Sequence, residues 1–257
     1  MLPDGLLRKA YHLMCQAGYM AEIYEDNRQA CKYVHSTSRG HEAIQLATAF
    51  QLLPCDYVSP YYRDESMLLG LGFTPYELML QLLAKRDDIF TGGRSYYSHP
   101  SSKASGKPRI IQQSSATGMQ VIPTTGIAQG LKFLETSGSP LFQRGAAGEN
   151  PIVICSLGDA SITEGEVSEA FQFAALHQLP IIYLVQDNNW GISVSAAEAR
   201  LTNASDFVKG FGGISRISID GSDFLKSYEV MKNVIAEVRQ ERKPFLVRSE
   251  ERRVGKE

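Results

Sequence analysis

The stretch PIVICSLGDASITEGEVSEAFQFAALHQLPIIYLVQDNN (151–189) decides the fold class. PIVICSL (151–157) and PIIYLVQ (180–186) are short, uninterrupted apolar runs, the pattern of strands covered on both faces. Between them, EGEVSEAFQFAALH (164–177) carries apolar residues at helical spacing. Strand, helix, strand predicts two parallel strands joined by a right-handed crossover, hence an α/β fold with a mostly parallel sheet. Both strands then end on one sheet edge, where open α/β sheets bind ligands. Those ends carry Gly158-Asp159-Ala160 and Asp187-Asn188-Asn189.

A carboxylate, an amide oxygen and a nearby backbone carbonyl are hard donors that suit Mg²⁺, which keeps its remaining positions for water and phosphate. Gly158 permits a tight turn, and the helix start at 163–164 offers N–H groups to an anion. A plainer reading has Asp159 capping the helix and Asn188 turning the chain. Spacing alone leaves both open.

Downstream, ISRISID (214–220) predicts a third strand, and Phe224, Tyr228, Met231, Ile235 and Val238 mark a last helix capped by Ser222 or Asp223. Phe245–Val247 starts a fourth strand. Upstream, apolar spacing predicts one long helix over 5–33, a second over 40–53 ended by Pro54, and a third over 75–86 opened by Pro75. Asp56–Pro60 reads as extended and 119–134 as helix. Gly70 to Pro75 nearly spells a dinucleotide fingerprint, but lacks the last glycine and the preceding strand, and reads as a turn between helices. Residues 91–117 show no periodicity. A loop this long inside a domain is usually functional or disordered, and Tyr96, Tyr97 and His99 favour function. Residues 135–150 read as a polar connection.

The chain has 257 residues, 43% of them hydrophobic, with 26 basic and 28 acidic side chains. That is ample for a packed core, and a net charge of −2 with no basic stripe argues against nucleic-acid binding. No apolar stretch approaches the ~20 residues of a membrane span. Cys15, Cys31, Cys55 and Cys155 form no CxxC pair and suit a reduced, cytoplasmic protein.

Gly158-Asp159, Glu169-Ala170, Ala174-Ala175, Leu179-Pro180 and Asp187-Asn188 together resemble the thiamine diphosphate motif. SRGHEA (38–43), YYRDES (61–66), GGRSYYSH (92–99) and QSSATGMQVIPTTGIAQG (113–130) extend the resemblance over roughly 35–248. They resemble, in order, blocks of the alpha subunit of the decarboxylating component of 2-oxo acid dehydrogenase complexes. The resemblance implies a thiamine diphosphate-binding fold, with Mg²⁺ held by Asp159, the Asn188 side chain and the Trp190 carbonyl. It implies that Tyr62 and Arg63 contact the cofactor, Arg63 at the diphosphate, where its planar fork suits phosphate. Ser115 and Thr117 match positions at the aminopyrimidine. Gly158, Ala160 and Ser161 match positions against the diphosphate, as does Gln186, which is Arg in some members. His99 would approach substrate or cofactor as a catalytic candidate, or order its loop; His35 and His41 are weaker candidates. The sequence departs from the pattern at Ala160, Asp187 and Trp190, which touches the fine geometry of the site.

The resemblance further implies decarboxylation of a 2-oxo acid, branched-chain or pyruvate, with acyl transfer to a lipoyl group of an acyltransferase partner. In that family the glutamate facing the aminopyrimidine comes from a beta subunit or a fused beta half, in an alpha2beta2 assembly. This chain alone is therefore expected to be nearly inactive. An acetoin dehydrogenase-type enzyme and a non-catalytic fragment binding only its beta partner are the alternatives. Residues 1–34 read as a helical extension, 35–248 as the cofactor domain, and 249–257 as a tail outside the family pattern, suggesting an interrupted chain.

Overall fold

The structure is a computed structural model and describes residues 2–32, 36–111, 114 and 116–251. In chain order its first elements are α1 (Asp4–Asp26), α2 (Glu42–Ala49), β1 (Tyr57–Ser59), α3 (Glu65–Gly70), α4 (Pro75–Leu82), β2 (Arg109–Ile110) and α5 (Val121–Thr136). The predicted unit follows as β3 (Val153–Gly158), α6 (Gly165–His177) and β4 (Ile181–Asp187). A small hairpin of β5 (Trp190–Gly191) and β6 (Val194–Ser195) leads into α7 (Ala196–Ala199) and α8 (Ala204–Phe207). The last elements are β7 (Ser215–Asp220), α9 (Phe224–Glu241) and β8 (Phe245–Glu250).

Six strands form one sheet in the order β2-β1-β3-β4-β8-β7, every pair parallel. Alternate strand residues face opposite ways, and both faces are covered. Ile154, Ile182, Leu184 and Val247 join one core with residues of α1, α2, α3, α4 and α9. Val153, Cys155, Tyr183, Val185 and Leu246 join the other with residues of α5, α6 and α8. This double cover is why β3 and β4 read as unbroken apolar runs. Each fully buried aliphatic side chain contributes roughly 1.5–3 kcal/mol.

Three helices are shorter than the sequence expects. The long N-terminal helix stops at Asp26, where the Asn27 backbone N–H and side-chain amide both reach the Ile23 carbonyl. The second helix ends at Ala49, well before Pro54; Gln51 N–H turns back to the Thr48 carbonyl, and Asp56 Oδ2 accepts from Leu53 N–H at 2.8 Å. The third ends at Leu82, although Pro75 and a Thr74–Glu77 capping box open it as expected. Between them, Gly72 at φ +87° makes the turn from α3 to α4 that a glycine allows. The aperiodic stretch holds β2, which adds a strand to the sheet edge beside β1.

The N-terminal helix, set apart in the sequence as an extension, contributes Ala17, Met20 and Tyr24 to the same core as the sheet. β8 continues two residues beyond the domain end expected at 248. Among the described residues no helix is long and apolar enough to cross a membrane, and all four cysteines are free.

Candidate cofactor site

β3 and β4 end in register, with Gly158 opposite Gln186. Beyond β3 the chain tightens into a 3-10 turn over Asp159–Thr163; beyond β4 it enters the β5–β6 hairpin. The two loops meet. A Cβ placed on Gly191 would stand 3.0 Å from the Ala160 Cβ. Gly158 is extended, at φ −88° and ψ 158°, so it does not serve the tight turn expected of it. Its role is close approach: an added Cβ would meet the Tyr61 phenol oxygen at 2.8 Å and its ring at 2.9 Å.

Asp159 is buried at this edge and its Oδ2 accepts from Arg200 Nη2. The same nitrogen reaches Asp187 Oδ1 at 3.4 Å, while Arg248 Nε donates to Asp187 Oδ2 at 2.6 Å. Two carboxylates thus face one cation. Burial, then the Asp187 charge, pushes the Asp159 carboxyl up, against the pull of Arg200. Burial also works to raise Asp187, but hydrogen bonding to Asp159 and the Arg248 guanidinium outweigh it and hold it below the usual carboxylate range. Asn188 Oδ1 accepts from Trp190 N–H at 3.0 Å, which keeps the loop folded and leaves the oxygen a second lone pair. A buried carboxylate, an amide oxygen and a loop carbonyl, carried on two loops that meet, fit a hard divalent cation.

Tyr62 and Arg63 lie beside this edge on the turn after β1. The Tyr61 and Tyr62 rings sit 3.9 Å apart, and Arg63 lies over Tyr62 at 5.0 Å, donating from Nη2 to the Tyr62 phenol. Arg63 Nε is buried without a hydrogen-bond partner among the described residues, an orphaned donor that fits an anion. Behind the turn lies a buried polar network. Gln186 Nε2 donates to Asp64 Oδ1 and to Ser156 Oγ, and its Oε1 accepts from Gln45 Nε2 at 2.8 Å. Gln45 Nε2 also reaches the Arg63 carbonyl at 3.1 Å. With both amide atoms engaged inside the protein, Gln186 supports the Tyr62–Arg63 turn, whereas the sequence placed it at the diphosphate. Burial pushes the Asp64 carboxyl up to about 6.

Ser161 is fully buried beside Tyr61, whose phenol burial pushes up. Thr117 is exposed; next to it, a Cβ on Gly118 would stand 3.0 Å from Glu164, so this segment lies against the start of α6. Ser115 and His35 fall outside the described residues. His99 is buried, its Nδ1 2.7 Å from the Tyr97 carbonyl, and burial lowers its pKa against the opposing backbone of Tyr97 and Ser114. That is the loop-ordering arrangement, and it holds the imidazole near the Ser114 backbone. His41 opens α2 and lies 3.5 Å from Glu251. The sequence missed Arg200, Asp64 and Gln45. Asp64 and Gln45 carried a signal, lying within or next to two blocks of resemblance; Arg200 carried none.

This parallel sheet, with polar side chains gathered at the strand ends, is the thiamine diphosphate-binding fold. Transketolase from Campylobacter jejuni superposes with a TM-score of 0.67 over 97% of this chain and 38% of its own, at 19% identity. Transketolase from Leishmania mexicana does so with a TM-score of 0.57 over 84% of this chain and 37% of its own, at 15% identity. Those identities speak to fold alone. The chain belongs to the dehydrogenase E1 component family, whose profile matches residues 17–256. The match begins inside α1 and takes in 249–256. The 2-oxoisovalerate dehydrogenase subunit alpha of Bacillus subtilis is 32% identical over 211 residues, 81% of this chain and 59% of its own length. The mitochondrial 2-oxoisovalerate dehydrogenase subunit alpha 1 of Arabidopsis thaliana is 28% identical over 254 residues, 98% of this chain and 50% of its own. This chain thus spans about half to three-fifths of the length of these relatives.

Proposed function

We propose that this chain is the alpha part of a 2-oxo acid dehydrogenase that binds thiamine diphosphate and Mg²⁺. The observation that carries the reading is the meeting of Asp159–Ala160 with Asn188–Gly191 at the ends of β3 and β4. Asp159, Asn188 Oδ1 and the Trp190 carbonyl would hold the metal. Arg63, with its orphaned Nε, would take the diphosphate, steadied from behind by Gln186, Asp64 and Gln45. Gly158, Ala160 and Ser161 would line the diphosphate, Tyr62 would pack against the cofactor, and Ser115 and Thr117 would meet the aminopyrimidine. When bound, thiamine diphosphate supplies the electron sink for loss of carbon dioxide from a 2-oxo acid. The protein's part is to position it, exclude water and neutralise its charge.

His99 is proposed as the residue near substrate, with burial lowering its pKa and so favouring the uncharged imidazole. The names of the relatives favour a branched-chain 2-oxo acid over pyruvate. The reading includes a beta subunit or beta half that completes the site in an alpha2beta2 assembly, a lipoyl acyltransferase as acyl acceptor, and a cytoplasmic enzyme. Calorimetry with thiamine diphosphate and Mg²⁺, with and without the beta partner, tests it. Binding is expected only with the partner, and Asp159→Ala should abolish it. Binding unchanged in Asp159→Ala would refute the metal assignment. Turnover of pyruvate, 2-oxoisovalerate and 2-oxoglutarate by the assembled enzyme then identifies the substrate.

A further inference from the structure

Arg200 is the one well-buried side chain of a segment otherwise turned to solvent. Ile192 and Leu201 are 98% and 99% exposed, and α7 buries no residue. The Arg200 side chain is 6% exposed and reaches back to Asp159 and Asp187. Its contacts differ from those of a permanent structural pair. Arg239 meets both oxygens of Asp56 with its two terminal nitrogens and also bonds the Asn150 carbonyl. Among the described residues, Arg200 makes both its side-chain contacts through Nη2, and its buried Nη1 has no hydrogen-bond partner. A guanidinium bonded through one nitrogen gives up fewer hydrogen bonds on leaving than one held at both, so it is the easier of the two to exchange for another cation. Asp187 would not be stranded by that exchange, because Arg248 on β8 holds it independently. Only Asp159 would lose its counter-charge, and Asp159 is the carboxylate assigned to the metal.

We propose that Arg200 is the built-in counter-cation of this pocket, which a divalent ion displaces on entry, releasing the segment that carries Arg200. The proposal rests on the metal reading given above and adds a competitor to it. A buried carboxylate without a partner is costly, so a cation at Asp159 stabilises the protein before the metal arrives. The same contact lowers metal affinity, and movement of the segment becomes tied to metal occupancy. Trp190, the single tryptophan of the chain, sits at the start of this segment and reports on it.

The test uses the full protein, assembled with its partner and freed of cofactor and metal by a chelator. Mn²⁺ binding is followed by the electron paramagnetic resonance signal of the free ion. Arg200→Gln is expected to bind Mn²⁺ about fivefold tighter or more, the lower end of ordinary coupling between ligands. Arg200→Lys, which keeps the charge and guards against a folding defect, should fall between. Mg²⁺ should shift Trp190 fluorescence in the original protein, and Arg200→Gln should show the shifted emission before metal is added. A smaller gain in Mn²⁺ affinity, or a loss, overturns the proposal while leaving the metal site standing. Absence of Mn²⁺ binding in the original protein and in Arg200→Gln alike overturns the metal site and the proposal with it.

Discussion

Glu65 lies buried where α1, α3 and the 91–99 loop meet, and its replacement by Gln tests how the structure stores pH dependence. Its Oε1 accepts from the phenols of Tyr24 and Tyr97, and its Oε2 is buried without a hydrogen-bond partner among the described residues. Burial pushes its carboxyl from an ordinary 4.5 up to about 7, although the two phenols pull it down. The folded state therefore holds this proton more tightly than the unfolded chain. Stability is highest below the unfolded value, falls as pH rises through the window from 4.5 to 7, and levels off above it. At about 1.4 kcal/mol per unit of pKa, the full loss is about 3–4 kcal/mol. Glu65→Gln keeps an oxygen for the two phenols and cannot ionise. Its amide nitrogen falls where Oε2 lacks a partner, an offset of about 1–3 kcal/mol that does not vary with pH. The difference in stability between variant and original should therefore move in the variant's favour by up to about 3 kcal/mol between pH 5 and pH 8. Urea midpoints at four pH values in that range measure it. Asp64, also pushed up by burial, is present in both proteins and cancels. Two pH profiles that stay parallel within about 0.5 kcal/mol would refute the reasoning, since Glu65 would then titrate alike in both states.

Three further outcomes follow from packing and hydrogen bonding. Gly158→Ala drives a methyl into the Tyr61 ring and should cost about 1–3 kcal/mol in urea unfolding; no measurable loss would mean that Tyr61 does not rest there. Gln186→Leu removes one of the donors to buried Asp64, leaving the Tyr61 N–H, and should destabilise by about 1–3 kcal/mol, more at pH 8 than at pH 5, because the Asp64 carboxyl rises further and its ionised form is the one that loses most. A loss independent of pH would place the cost in packing alone. Thr74→Ala breaks the capping box of α4 and should lower stability by about 1 kcal/mol, whereas Thr74→Ser should restore most of it.

The sheet was readable because its central strands are buried on both faces, which forces unbroken apolar runs such as Ile181–Val185. The Asp223 cap of α9 and the Pro75 start of α4 were readable because caps act within a few residues. α3 and β2 were not, because six and two residues are too few to show a period. The early ends of α1 and α2 come from turns whose bonds compete with the helix, a contest that apolar spacing does not record.

For the site, local sequence placed Asp159 and Asn188 at strand ends on one sheet edge, since strands joined by a crossover run parallel, and the structure makes those strands neighbours. It did not say which charges would face them. Gln45 meets Gln186 across 141 positions, and Arg200 meets Asp159 across 41. Such pairs carry no periodic signal, because each is made only when separate elements pack together. The strand ends thus follow from pattern and handedness, whereas the cation held between the two carboxylates, and the network behind Arg63, follow from burial, which makes an unpartnered charge or amide costly.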